Sequence, residues 1–216
     1  MPRYKKGIET KETILQSARK LFYINGLKSV SINTICQDAD IKLGTLTYYF
    51  KKKDDLVVYF YNDYMKRINE FIKENTHDLV PAKAHIYMIL IYYFNIYRDH
   101  NTVRFHGEVL ENTSMYNILY NQRELIGVFA DNCEMAKDEE MFELLVLADN
   151  AVRRELNLLS IVNPNKELPE IKQLIKKIYT VSAQLFSFDQ DLLNQYIEDG
   201  YEFLLSNLDH HIRLLL

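Results

Sequence analysis

Hydroxyl, aromatic and cationic side chains that could contact a nucleic acid are concentrated between Gly26 and Leu56. Threonine hydroxyls and methyls can contact base edges, tyrosine hydroxyls can donate to phosphate, and lysine ammonium groups are attracted to phosphate. The apolar residues of this segment are spaced as in two short amphipathic helices, a tight turn and the start of a long helix. This arrangement predicts a helix-turn-helix that reads DNA.

The recognition helix is predicted over about Leu43 to Tyr49. Leu46 and Phe50 are assigned to the core, so the outward side chains are short or flat, and Gly44 allows the backbone to approach DNA closely. Arginine or lysine would be the expected reader of guanine, and neither occurs in this helix. The composition of the helix therefore favours an A/T-rich target.

Three lysines, residues 51–53, follow this helix, where free amides at the start of the next helix would add to their attraction for phosphate. Each feature also has an ordinary explanation. A lysine triplet usually forms a solvated surface, and Tyr48 and Tyr49 could be half-buried packing residues. The combination of helical periodicity with charge is what indicates DNA.

Charge is divided unevenly along the 216 residues. Residues 1–53 hold 11 Lys and Arg against 4 Asp and Glu, a net charge of +7, whereas residues 54–216 hold 15 against 26, a net charge of -11. We expect the N-terminal head to face a polyanion while the acidic remainder stays away from it.

Helical periodicity covers nearly the whole chain, and with only 4 prolines and 6 glycines the sequence predicts an all-α protein. An N-terminal three-helix DNA-binding domain, 1–53, would precede a C-terminal helical ligand-binding and dimerisation domain, 54–216, with the boundary inside the fourth helix. Thr10 and Ser31 are the predicted N-caps of the first two helices, and Gly26 ends the first. The helices are predicted at about 11–25, 32–39, 43–49, 53–75, 81–100, 103–112, 115–135, 139–162, 168–186 and 189–212, with 163–165 as the clearest loop.

No apolar run approaches the roughly 20 residues needed to cross a bilayer, and no signal sequence is visible, so we expect a cytoplasmic protein. Cys36 and Cys133 are expected to be buried thiols, since their spacing fits neither a metal site nor a redox pair. No catalytic triad, phosphate loop or metal-ligand cluster is present, and His210 and His211 are adjacent rather than spaced on one helix face. We therefore expect no cofactor, no metal and no enzymatic activity.

The N-terminal residues resemble the TetR family of transcriptional regulators over about residues 8 to 60. The resemblance follows a first helix and a glycine, then Ser/Thr-Ile-x-x-Ile-Ala-x-x-Ala-x-Val, then Gly-x-Leu-Tyr-x-Tyr/His-Phe-x-x-Lys-x-x-Leu. The positions in register are Gly26, Ser31, Ile32, Ile35, Ala39, Ile41, Gly44, Leu46, Tyr49, Phe50, Lys53 and Leu56.

Three positions depart from that pattern: Cys36 replaces an alanine, Lys42 stands where a Ser or Thr often caps the helix, and Thr47 replaces a tyrosine that grips phosphate. Because Thr47 is too short to reach as far, Tyr48 could take over that phosphate. The resemblance also implies a base contact by Asn33. The candidate DNA-binding residues are Ser31, Asn33, Lys42, Leu43, Gly44, Thr45, Thr47, Tyr48, Tyr49, Lys52 and Lys53.

Aromatic side chains with hydroxyl tips recur in the body, which is typical of a largely apolar cavity with a few polar anchors. The resemblance to the TetR family also implies a small effector bound between the helices of the body. Arg153 could grip a carboxylate or phosphate, or could only pair with acidic residues. An ordinary core explains an aromatic stripe equally well. The candidate ligand-binding residues are Tyr92, Tyr93, Tyr97, Phe105, His106, Tyr120, Asn150 and Arg153.

Residues 168–212 carry apolar stripes that are broad enough to face both a core and a partner, so two copies would form an intermolecular four-helix bundle. A two-fold pair would also read two half-sites at least about 34 Å apart, which predicts a palindromic operator.

We therefore expect a homodimeric, ligand-responsive repressor in which an effector moves the fourth helix and changes the separation of the recognition helices. The alternatives are a helical protein-interaction module whose head does not bind DNA, and a helical enzyme. Binding to duplex DNA that falls steeply with salt would distinguish the first from the other two.

Overall fold

The computed structural model describes residues 2–120, 126–130, 133–161 and 167–215, without the side chains of 2–6, 120 and 168. Within these residues the chain forms ten α-helices, a 3-10 turn at Glu134–Lys137 and no strand. The helices are α1 (Pro2–Asn25), α2 (Ile32–Asp38), α3 (Leu43–Tyr49), α4 (Lys53–Asn75), α5 (Pro81–Tyr97), α6 (His100–Glu111), α7 (Thr113–Tyr120), α8 (Glu139–Ile161), α9 (Leu168–Leu185) and α10 (Gln190–Leu205). The all-α prediction is confirmed. None of these helices is long and apolar enough to cross a membrane.

Several predicted helix ends were wrong. Helix α1 begins at Pro2 rather than Lys11, so Thr10 lies inside it and is not its N-cap. The helix predicted at 115–135 does not reach its predicted end: the described part of α7 is Thr113–Tyr120, and residues 128–130 and 133–135 are not α-helical. Helix α10 ends at Leu205 rather than 212, because the chain then turns back and buries Leu214 and Leu215 in the core. The predicted loop at 163–165 lies outside the described residues.

The head is built by α1, α2, α3 and the start of α4 around fully buried apolar side chains. Ile14, Phe22 and Leu46 are 0 % exposed, as their helical spacing predicts. Gly26 ends α1 at φ +78°, a conformation that favours glycine, and its amide donates to the Phe22 carbonyl at 2.9 Å. The Ser31 hydroxyl accepts a hydrogen bond from the Thr34 amide at 3.1 Å, so the predicted N-cap of α2 is confirmed.

The body is arranged around α5, which is buried along almost its whole length. Helix α10 lies close against α5 at Gly200, where an added Cβ would lie 2.7 Å from Leu90 Cδ1 and 2.9 Å from Tyr87 Cδ1. A glycine inside a helix costs roughly 1 kcal/mol relative to alanine in propensity, and this close contact offsets that cost.

Two connections join the head to the body. Helix α4 runs through both, with Leu56 and Ile68 fully buried near its two ends. Helix α6 contacts the end of α1: Arg104 Nη2 donates to the carbonyls of Tyr23 and Ile24, each at 2.8 Å. These bonds satisfy carbonyls that the last turn of a helix otherwise leaves free.

A line of aromatic rings also crosses from the core of the head into the body. Phe22 stacks on Phe105 with 5.6 Å between ring centroids, and Phe105 stacks on Tyr61 at 6.3 Å. Tyr61 in turn lies 6.4 Å from Tyr92. Rings at these separations attract each other beyond the area that they bury.

Candidate functional site

Helix α3 presents one face to solvent and one to the core of the head. Leu46 is 0 % exposed, whereas Tyr48 is 82 % and Leu43 is 49 % exposed. A Cβ added at Gly44 would meet no heavy atom within 4 Å. This outward face could be covered by a partner molecule without any rearrangement of the helix.

The two threonines of α3 are half-buried at the edge of this face. The Thr47 hydroxyl donates to the Leu43 carbonyl one turn earlier, at 3.1 Å. Its proton is used inside the helix, which leaves its methyl group and the lone pairs of its oxygen for an external contact. Thr45 has no such bond in the described structure, so both its hydroxyl functions remain available.

Tyr49 is half-buried, as the packing alternative for this residue predicts. Its hydroxyl donates to the Gly7 carbonyl of α1 at 3.0 Å, so its only proton is already used within the protein. Tyr49 therefore holds α3 against α1, and the contact extends to turns of α1 that the sequence did not predict to be helical. Tyr48, whose ring packs edge-on against Tyr49 at 5.0 Å, is the tyrosine that faces solvent.

Lys53 is likewise engaged within the head. Its ammonium group donates to the carbonyls of Leu27 and Val30 at 2.7 and 2.9 Å, and burial lowers the pKa of this amine. Two of its three N–H donors thus hold the loop between α1 and α2. By contrast, Lys42, Lys51 and Lys52 are exposed.

The start of α4, where the sequence predicts free amides, also carries two carboxylates. Asp55 accepts a hydrogen bond from the Lys52 amide at 3.1 Å, and Asp54 lies 3.6 Å from the Lys52 ammonium. Two carboxylates in the first turn interact favourably with the helix dipole, and they compete with a phosphate for the same end of the helix. Ser31, the N-cap of α2, and Asn33, in its first turn, are both exposed. The Ser31 hydroxyl also contacts the Thr34 hydroxyl at 2.8 Å.

The body contains a cavity between α4, α5, α7, α8 and α9. Its volume is about 580 Å³ including its mouth, where Asn62 is exposed and Met65 half-buried. Most of the lining is aromatic or aliphatic. The lining residues are Tyr61, Asn62, Met65, His85, Ile89, Tyr92, Tyr93, Leu119, Ile126, Asn150, Arg153 and Tyr179.

Four of the predicted ligand-binding residues line this cavity: Tyr92, Tyr93, Asn150 and Arg153. The structure places three others elsewhere in the core. The Tyr97 hydroxyl donates to Asn157 of α8 at 3.3 Å, Phe105 lies between Phe22 and Tyr61, and His106 Nδ1 is 2.7 Å from the Tyr61 hydroxyl. The side chain of the eighth, Tyr120, lies outside the described residues.

The sequence reading missed His85, Tyr61 and Tyr179. His85 could have been found, because it lies four residues before Ile89 and eight before Tyr93, on the same face of α5. Tyr179 lies 94 residues further along the chain, and no local pattern brings it to His85.

The polar side of the cavity is a buried cluster around Arg153. Its Nη2 pairs with Asp149 Oδ2 at 2.8 Å, and its Nη1 donates to the Tyr179 hydroxyl at 2.8 Å. The Ser182 hydroxyl donates to the other oxygen of Asp149. Arg153 is therefore committed to its own protein and is not the free anion clamp that the sequence suggested.

Cysteines and histidines in the described ranges form no further site. Cys36 and Cys133 are both buried and unpaired, as predicted. Across the same ranges, no group of three or more His, Cys, Asp and Glu residues could hold a metal ion.

Comparisons with known proteins agree with this geometry. Residues 14–60 match the family model described as "Bacterial regulatory proteins, tetR family". A Bacillus subtilis protein named "Probable HTH-type transcriptional regulator YttP" is 20 % identical over 151 residues, 70 % of each chain. An HTH-type transcriptional regulator of Staphylococcus aureus is 37 % identical over 70 residues, 32 % of this chain and 36 % of its own.

Two solved structures share the fold over most of the chain. TylP, described as a TetR regulator from Streptomyces fradiae, has a TM-score of 0.56 at 12 % identity and covers 94 % of this chain and 99 % of its own. RolR in complex with resorcinol has a TM-score of 0.58 at 14 % identity, covering 91 % and 95 %. Residues 14–60 are therefore similar to the helix-turn-helix of tetR-family regulators, and the two solved structures share the fold over most of the chain.

Proposed function

We propose that this chain is a homodimeric repressor that binds a palindromic DNA operator through α3 and leaves it when a small molecule fills the body cavity. The observation that carries the proposal is the outward face of α3, where Tyr48 is 82 % exposed and nothing covers Gly44. Tyr48, the exposed Leu43 and the uncovered Gly44 lie on one short helix, and adjoining exposed apolar surface marks an interaction site.

The side chains of this face divide between reading bases and holding phosphates. Thr45, Thr47 and Leu43 contact base edges or thymine methyls, and Asn33 contacts a base from α2. Gly44 lets the helix sit deep in the groove. The phosphate contacts come from Ser31, Lys42, Tyr48 and Lys52, while Tyr49 and Lys53 act mainly by fixing α3 and the loop before α2.

The dimer interface that we propose differs from the one read from the sequence. The stripe on α10, including Leu193, Ile197 and Leu204, is at most 1 % exposed because it packs on α5 of the same chain. Larger fractions of apolar side chains are uncovered on α8, where Leu144, Leu147 and Leu159 are 56 to 71 % exposed, than on or next to α10, where Leu192, Leu205 and Leu208 are 37 to 39 % exposed. A second copy would cover this face of α8 and the groove between α8 and α9, whose lining includes Leu159.

We propose that α4 couples effector binding in the cavity to DNA binding by the head, because this helix belongs to both. Tyr61 and Met65 of α4 line the cavity, and the same helix packs into the head through Leu56 and Val57. An effector that fits the cavity only when α4 has shifted would favour the state in which the two recognition helices no longer match the operator. In this proposal residues 1–53 act as the head and 54–216 as the body of a cytoplasmic regulator.

Selection of bound duplexes from a random DNA pool tests the function directly. With the selected duplex, we expect Lys52→Ala to lower the slope of log affinity against log salt by about 1, and Thr45→Ala to reduce discrimination between bases by roughly 1–3 kcal/mol. Lys176→Ala, on the exposed side of α9, is the matched charge control and should leave both unchanged. The proposal is overturned if the wild-type protein binds no duplex at low salt.

The second candidate function, a protein-interaction module, predicts a different outcome. An exposed tyrosine beside lysines could also meet an acidic protein surface. In that case DNA binding would be weak and independent of sequence, and Thr45→Ala would have no effect on it.

A further inference from the structure

The charges beside the cavity cancel each other. Arg153 and Asp149 are 5 % and 2 % exposed and pair at 2.8 Å, and both Asp149 oxygens accept hydrogen bonds. No acidic residue is among the described lining residues, and Arg153 is the only lysine or arginine there. A charged ligand would lose its hydration without gaining an unpaired counter-charge, which is strongly unfavourable in a buried site.

Hydrogen-bond direction can be followed from Arg153 to His85. A guanidinium group only donates, so the Tyr179 oxygen accepts from Arg153 Nη1 at 2.8 Å. The Tyr179 proton then points to the other neighbour of this oxygen, His85 Nε2, at 2.7 Å. His85 Nε2 is therefore the acceptor, and in the neutral ring the proton lies on Nδ1.

His85 is the polar group of the lining that this chain of bonds leaves incomplete. It is 6 % exposed, and Nδ1 has no hydrogen-bond partner among the described residues. Burial, together with the positive charge of Arg153, lowers the pKa of His85 to about 3, so the ring is neutral at physiological pH. A buried N–H group without an acceptor is unfavourable, and a ligand that accepts this bond would recover that loss.

The remaining walls suit a flat apolar body. Tyr61, Tyr92 and Tyr93 contribute ring surfaces, and Ile89, Leu119 and Ile126 contribute aliphatic ones. Tyrosine rings bind other rings through offset stacked or edge-on contacts.

We infer that the effector of this cavity is an uncharged, ring-containing molecule that presents a carbonyl, ether or similar oxygen to Nδ1 of His85. The inference rests on the proposed function, because it names the class of effector for the same cavity. It also sets aside carboxylates and phosphates, which Arg153 suggested as one of two possibilities from the sequence.

Two sets of matched probes test this inference by titration calorimetry with the full-length protein. Each set keeps the shape and changes the polar group: acetophenone, α-methylstyrene and benzoate for one ring, and 2-acetylnaphthalene, 2-isopropenylnaphthalene and 2-naphthoate for two rings. In at least one set, we expect the ketone to bind at least fivefold more tightly than both of its analogues.

Variants of the histidine assign the difference to one atom. His85→Phe should remove the preference for the ketone over the alkene, and His85→Asn, which retains an N–H donor near the Nδ1 position, should restore part of it. His210→Phe is the matched control, because His210 is also a buried histidine with an unpartnered ring nitrogen but does not line the cavity. It should leave the preference unchanged.

The possible results separate the inference from the function on which it rests. If the carboxylate or the alkene binds as tightly as the ketone in both sets, or if His85→Phe keeps the preference, the inference is overturned. Operator binding measured on the same preparation then shows whether the regulator function still stands. Loss of specific DNA binding by the wild type would instead remove the function, whatever the probes do.

Discussion

Glu108 of α6 accepts a hydrogen bond from the backbone amide of Lys28, with 2.6 Å between Oε2 and N. The amide belongs to the loop that joins α1 to α2, so a carboxylate of the body holds the loop that leads into the helix-turn-helix. Lys28 makes a second, outer contact, an ion pair with the exposed Glu111 at 2.5 Å.

Replacement of Glu108 by alanine should destabilise the protein by about 1–2 kcal/mol, because the charge-assisted bond to the Lys28 amide is lost. Glu111→Ala removes only an exposed ion pair, which solvent screens, and should lower stability less than Glu108→Ala does. Urea unfolding of the two variants measures both. Equal effects would show that the inner bond contributes no more than the outer pair.

Two glycines of the head should respond in opposite ways to alanine. At Gly26 the backbone has φ +78° and an added Cβ would lie 2.7 Å from Glu108 Oε1, so Gly26→Ala should lower stability by at least about 1 kcal/mol. At Gly44 nothing lies near the new methyl group, and alanine should raise helix stability by up to about 1 kcal/mol.

The same Gly44→Ala variant should bind the operator more weakly than the wild type, because the methyl group would keep α3 from approaching DNA closely. Thermal unfolding and fluorescence anisotropy on one preparation give both quantities. A variant that is more stable and binds DNA equally well would exclude close backbone contact at this position.

The buried pair of Arg153 and Asp149 should cost more to break than to replace. Asp149→Asn leaves an uncompensated guanidinium group and should destabilise the protein by roughly 3–5 kcal/mol. The double variant Arg153→Met and Asp149→Leu removes both charges and should be the more stable of the two. Denaturant unfolding decides this, and a double variant weaker than Asp149→Asn would contradict it.

The buried histidines should make stability depend on pH. Burial lowers the pKa of His85 and of His106 to about 3 in the folded protein, from an ordinary value of 6.5. Between these values the unfolded chain binds protons that the folded chain does not, so stability is full above about pH 6.5 and falls as the pH is lowered towards 3.

From pH 7.5 to 5.5 each histidine should account for roughly 1.4 kcal/mol of lost unfolding free energy. Urea unfolding at the two pH values measures the loss, and His106→Phe should reduce it by about that amount. Replacing the exposed His77 with glutamine serves as the control. If His106→Phe leaves the pH dependence as it was, His106 is not neutral and buried in the way described.

Sequence alone was sufficient for the elements whose partners lie nearby in the chain. The bounds of α3 and α4 follow from apolar spacing, and Leu46 and Phe50 are buried as their positions predict. It was not sufficient where the partner of a group comes from far away. The carbonyls that hold Lys53, 23 and 26 residues earlier, and the α5 surface that covers the stripe of α10, leave no mark in the local pattern.

The cavity shows the same limit. Aromatic residues on α5 predicted an apolar site, but its polar side depends on Tyr179 and Asp149, which neighbouring helices bring to Arg153 and His85. Arg153 was read as a ligand group because its type suits anions, and the structure shows that type alone does not reveal whether a guanidinium group is free.

The stacked rings of Phe22, Phe105 and Tyr61 connect the core of the head to the lining of the body cavity. Tyr61 lines the cavity, and Phe22 is a buried core residue of the head. Replacing Tyr61 by a smaller residue, to admit a bulkier compound, would therefore also remove the ring that packs on Phe105, and Phe105 packs on Phe22 of α1. In the proposed function, a change of Tyr61 should therefore alter the response to an effector and the affinity for the operator together.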